Sequence, residues 1–156
     1  MKNEVLNENN YYEGLIQSLY GGNDGCFCLF MTFFFQHNQS KKFFPELESN
    51  FDELEKLELE NCKMLAEILV EMGADAKFFS KSKTFLSGYN VDYSKNISKI
   101  FLSDIEKLEL HLIEIKSIIL KVRNKRIKEK LNPVLENKKK SLKILRENYF
   151  KYNLKK

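Results

Sequence analysis

Apolar positions along this chain recur at steps of three and four, the period of a helix with one buried face. Between residues 46 and 72, Phe51, Leu54, Leu57, Cys62, Leu65, Ile68, Leu69 and Met72 share one stripe, with Asn61 beside it. Gly73 follows the last apolar position and suits a left-handed C′ cap. Between 93 and 123 the stripe is Phe101, Ile105, Leu108, Leu112, Ile115, Ile119 and Val122. Between 125 and 153 it is Leu131, Leu135, Leu142, Leu145 and Tyr149. Pro133 falls inside that last segment and predicts either a kink or a start there, with Asn132 as the cap.

The first segment, about 11–37, is amphipathic in YYEGLIQSLY, and GGNDG at 21–25 should break or kink it. The run CFCLFMTFFF at 26–35 is shorter than the ~20 residues a bilayer requires, so it reads as buried helix. HNQSKKFFP, closing at Pro45, reads as a loop, and residues 74–93 as a long connection. No strand pattern competes. The expectation is an all-α single domain over 1–156, with four helices at about 11–37 (broken near 21–25), 46–72, 93–123 and 125–153.

Composition adds that the chain should be globular: 43% of residues are hydrophobic, 31% are charged, and only two are proline. No apolar leader follows the N-terminus, and the expected location is cytoplasmic. Cys26, Cys28 and Cys62 lack metal-ligand spacing to His37 or His111 and read as small buried thiols. Charge is divided unevenly. Residues 1–78 carry 6 Lys+Arg against 14 Asp+Glu, and residues 79–156 carry 20 against 8. A basic half can bind nucleic acid or an anionic surface. It can also pack beside an acidic helix, and that reading is favoured.

One residue conflicts with the pattern. In VLENKKKSLKIL, Lys138 falls inside the apolar stripe, where an unpaired ammonium costs several kcal/mol. Either Lys138 snorkels to solvent or an anionic partner faces it. Glu58 shares a face with Leu54, Asn61 and Leu65, and Glu109 borders the third stripe. His111, two residues from Glu109, is expected on an exposed face.

LELENCKMLAEILVEMGADAKF, residues 57–78, resembles the second helix of the rubrerythrin-like and manganese-catalase-like branch of the ferritin-like superfamily. YYEGLIQSLYGG with FFFQH, DIEKLELHLIEI and VLENKKKSLKIL resemble its first, third and fourth helices. The resemblance implies a ferritin-like four-helix bundle, one long crossover between the second and third helices, and pairing as a homodimer. It also implies a carboxylate–histidine cage for two iron or manganese ions. The cage positions fall on Gly25 or Asp24, Glu58, Asn61, Glu109, Lys138 and Ser141. Both histidines and the fourth-helix Glu are replaced.

The expectation is therefore a degenerate centre without catalytic residues. Lys138 would neutralise Glu58 and Glu109, while Asn61 and Ser141 complete the hydrogen bonding. Its role would be structural or binding. One alternative is an oxidoreductase or peroxide-removing enzyme with a reduced site on Asp24, Glu58 and Glu109. Another is a nucleic-acid or anionic-surface binder acting through the basic last helix.

Overall fold

The computed structural model describes residues 2–154, with the side chains of residues 10–154. The chain is all-α: α1 (Lys2–Gly21), α2 (Cys26–Phe43), α3 (Glu48–Glu71), α4 (Ile97–Lys121) and α5 (Lys125–Asn153). The first two are the two sides of the segment that the sequence breaks near 21–25. Their junction is the glycine turn. A Cβ on Gly21 would meet the Lys77 carbonyl oxygen at 2.5 Å, and one on Gly25 would meet the Ser18 carbonyl oxygen at 2.7 Å. Only glycine permits these approaches.

Several details differ from the sequence reading, beginning with the start of α1 at Lys2 and not near residue 11. HNQSKKF is helix, not loop, because Leu29, Phe33, Gln36 and Ser40 extend one buried stripe along α2. Pro45 stops it by pushing Phe44 out of helical geometry (φ −145°, ψ 60°). The third segment starts at Ile97, where the Asn96 side chain accepts from the Lys99 amide at 3.1 Å. Pro133 neither starts nor ends α5. Asn124 is its cap, accepting from the Arg126 and Ile127 amides, and Pro133 lies on the exposed face. Gly73 adopts φ 84°, and the Ala74 amide bonds back to the Leu69 carbonyl, closing α3 in the left-handed cap.

The core divides into two clusters. One joins Tyr12, Ile16 and Leu19 of α1 to Leu65 and Ile68 of α3, Ile115 and Ile118 of α4, and Ile127 and Leu131 of α5. The other joins Leu29 and Phe33 of α2 to Phe51 and Leu54 of α3, Phe101 and Leu108 of α4, and Leu142 and Leu145 of α5. The segment after α3 is pinned onto α1 and α2. Buried Gln17 donates to the carbonyls of Lys77 (2.5 Å) and Phe79 (3.2 Å). The rings of Phe27 and Phe78 stack at 4.1 Å. Further along, the Cys28 thiol donates to the Asn90 carbonyl and the Asp92 amide donates to Thr32.

Charge explains much of the lateral pairing. Glu71 on α3 meets Arg126 and Lys130 on α5, and Glu53 on α3 meets Lys140 at 2.7 Å. The basic helix lies against the acidic one. Among the described residues, no helix is long and apolar enough to cross a membrane.

Candidate functional site

Between the two apolar clusters lies a polar layer. Glu58 and Asn61 come from α3, one turn apart, because i and i+3 share a helix face. Lys138 and Ser141 come from α5 by the same spacing. Cys26 comes from the first turn of α2, and His111 from the middle of α4. All six are buried, and Lys138 is among the largest fully buried side chains. It does not snorkel.

The Lys138 ammonium donates to Glu58 Oε1 and to His111 Nδ1, the latter at 2.8 Å. Asn61 Nδ2 reaches Glu58 Oε2 at 3.4 Å. His111 Nε2 lies 2.5 Å from the backbone carbonyl oxygen of Asp24. A carbonyl only accepts, so Nε2 carries the ring proton and Nδ1 presents its lone pair to the layer. Burial, with the Lys138 charge adding to it, holds His111 well below the usual histidine range, so the ring is neutral.

The Cys26 thiol adjoins both Lys138 and Glu58, and burial pushes its pKa far upward. Burial does the same to Cys62, with the neighbouring Cys26 adding to it. Both are thiols at neutral pH. Burial pulls the Lys138 pKa down, but the neighbouring Cys26 and Glu58 outweigh it, and the net shift is upward. Since Cys26 is uncharged, the anion that keeps Lys138 protonated is Glu58. Burying such a pair is tolerable only when the remaining polar capacity is met. Here it is met in part: Asn61 Oδ1 and Ser141 Oγ have no protein partner.

Glu109 is not in this layer. Its side chain is 46% exposed and accepts from Arg146 at 2.5 Å on the outer α4–α5 surface. His111 takes the inward position instead, three residues after Leu108 and four before Ile115, both buried. The sequence reading already held Leu108 and Ile115 in its stripe; it placed Glu109 at the cage through the family resemblance and expected His111 on an exposed face, and the structure reverses the two. Asp24 also misses the layer: its side chain is exposed, and only its carbonyl points inward. Cys26 and His111 are the two members that the sequence reading left out.

A second buried polar pair lies nearer the α4 N-terminus. Asp104 of α4 is fully buried facing the Gln36 amide of α2, close enough for its dipole to act on the carboxyl but without a hydrogen bond of ordinary geometry between them. Burial pushes the Asp104 carboxyl up to about 8, with Gln36 and Lys107 drawing it partly back.

The cage implied by the family resemblance does not fit these residues. Gly25 packs too tightly against the end of α1 to carry a carboxylate, Glu109 faces outward, and the Lys138 ammonium sits beside Glu58. Hard ions such as iron or manganese would meet a single inward carboxylate. No protein-family model, no curated protein and no solved structure matches the chain.

Proposed function

We propose that the chain is a ferritin-like four-helix bundle whose di-metal cage has been replaced by a lysine-neutralised polar layer, and that it serves a structural or binding role. The observation that carries this reading is the buried Lys138 ammonium between Glu58 and His111. Two cations in a cage and one ammonium beside one carboxylate solve the same problem, which is charge left unbalanced in low dielectric.

Connectivity supports the bundle. The N-terminal half of α3 packs with α2 and the start of α4, while its C-terminal half packs with α1 and the end of α4. The α3–α4 connection therefore has to travel the length of the helices. Its ordered contacts support that route, from Gln17 near Lys77, through Cys28 at Asn90, to Thr32 at Asp92. Such a route supports the crossover that the resemblance implies.

Pairing as a homodimer draws support from α4, where Leu102, Leu110, Ile113 (66% exposed) and Leu120 (79% exposed) leave apolar surface in water. Nucleic-acid binding draws less, because several basic groups of α5 already meet acids on α3 and α4. The test of the main reading is elemental analysis of protein expressed in iron- and manganese-supplemented medium. The expected content of either metal is far below stoichiometric. Two iron or manganese ions per chain would overturn the reading.

A further inference from the structure

The polar layer contains a donor set that the lost-cage reading does not use. Ligand atoms of Cys26, Glu58 and His111 all lie within 4.8 Å of one another, and all three residues are buried. They come from three different helices, α2, α3 and α4, so they converge as a tripod. The Lys138 nitrogen touches two of them. We propose that Cys26 Sγ, a Glu58 carboxylate oxygen and His111 Nδ1, with the Lys138 amine as fourth ligand, form a binding site for one thiophilic divalent cation of the zinc or cobalt type.

This proposal rests on the reading that Lys138 occupies the place of a cation, and it predicts what can replace the ammonium proton. The chemistry differs from the family cage. Thiolate, imidazole, amine and a single carboxylate suit a four-coordinate borderline ion, and they do not suit two hard ions.

Three observations support the site. First, the His111 tautomer is already set. Its Nε2–H is bound to the Asp24 carbonyl, the outer contact that orients metal-ligating imidazoles, and Nδ1 faces the other donors. Second, charge balances once the ion displaces two firmly held protons, that of the buried Cys26 thiol and the one Glu58 keeps on Lys138. The resting layer holds one carboxylate and one ammonium, with neutral thiol and imidazole. Entry of a dication releases one proton from Sγ and one from Nζ. It leaves carboxylate, thiolate, neutral amine and neutral imidazole around a 2+ ion, so the layer is uncharged before and after. Third, Asn61 Oδ1 and Ser141 Oγ, buried one turn from Glu58 and Lys138, are unpartnered acceptors available to second contacts. Tetrahedral ligands of zinc stand roughly 3.3–3.8 Å apart, given bond lengths of about 2.0–2.3 Å, so the tripod donors, all within 4.8 Å of one another, need to close by about 1 Å or less.

The test uses the full chain loaded with Co2+ or Zn2+ by two routes: expression in metal-supplemented medium, and refolding in the presence of the ion. Elemental analysis and the thiolate-to-cobalt charge-transfer band are the readouts. The expected result is one ion per chain with that band. Cys26→Ser should abolish the band and weaken retention at least tenfold. His111→Gln should weaken retention at least tenfold while keeping the band. Cys28→Ser, whose thiol points to the Asn90 carbonyl instead, should change neither. No saturable uptake by either route, or a band that survives Cys26→Ser, overturns the proposal. Those outcomes leave the lysine-neutralised layer standing. That layer fails separately, on paired iron or manganese.

Discussion

Replacing Lys138 by methionine removes an ammonium and keeps a side chain of nearly the same length, so it isolates charge from volume. Glu58 would then keep only uncharged neighbours, the 3.4 Å contact from Asn61 and the Cys26 thiol, and His111 Nδ1 would lose its donor. Breaking a buried ion pair by removing one partner costs about 3–5 kcal/mol, because the survivor stays desolvated. For a domain of this size each kcal/mol moves the midpoint by about 2–4 °C, so Lys138→Met should lower Tm by roughly 6–20 °C. The double variant Glu58→Leu/Lys138→Met removes both charges and should recover most of the loss, since hydrophobic replacement of a whole buried pair is often neutral or better. The assay is thermal and urea unfolding at pH 7, followed by circular dichroism on the wild type, both variants and the Glu58→Leu control. A Lys138→Met protein as stable as the wild type would refute the reasoning. So would a double variant no better than the single one.

Three further outcomes follow from the same structure. Asp104, raised to about 8 from an ordinary 3.8, gives stability that is full below pH 3.8 and lost as pH rises towards 8. Relative to Asp104→Asn, the wild type should therefore lose roughly 3–4 kcal/mol between pH 5 and pH 8 in denaturant titrations. The groups facing that carboxyl are Gln36, Asp92 and Lys107, and a flat difference between the two proteins would show that the carboxyl is solvated. Pro133→Ala should stabilise by about 1–3 kcal/mol in thermal melts, because it restores a helical amide on an exposed face of α5. Glu109→Gln should leave Tm within experimental error, since its partner Arg146 lies on the surface; a large drop would place Glu109 back in the core.

Helix positions were legible in the sequence because apolar periodicity is a repeated signal. The stripes of α3, α4 and α5 each span several turns, and a single misplaced residue does not hide them. The polar layer was legible where a polar residue interrupts a stripe on spacing alone: Glu58 with Asn61, and Lys138 with Ser141. It was misread on α4. There Glu109 was assigned through the family resemblance, whereas at about 100° per residue His111 lies about 60° from Leu108 and Glu109 about 100° away, so helical spacing itself turns His111 inward. Cys26 was hidden for another reason. In a uniformly apolar run no face stands out, so nothing marks which thiol meets the charges. The continuation of α2 to Phe43 was missed because polar composition was read as a turn, although Gln36 and Ser40 keep helical register with Phe33.

The glycine turn between α1 and α2 has an effect beyond bending the chain. Asp24 precedes Gly25, the cap of α2, so its carbonyl stands ahead of that helix and is free to bind the His111 ring. An unbroken rod through these positions would commit that oxygen to its own amide four residues on. The interruption thus exposes a main-chain acceptor that fixes one imidazole proton, and a backbone defect in the first rod governs which ring nitrogen the lysine meets.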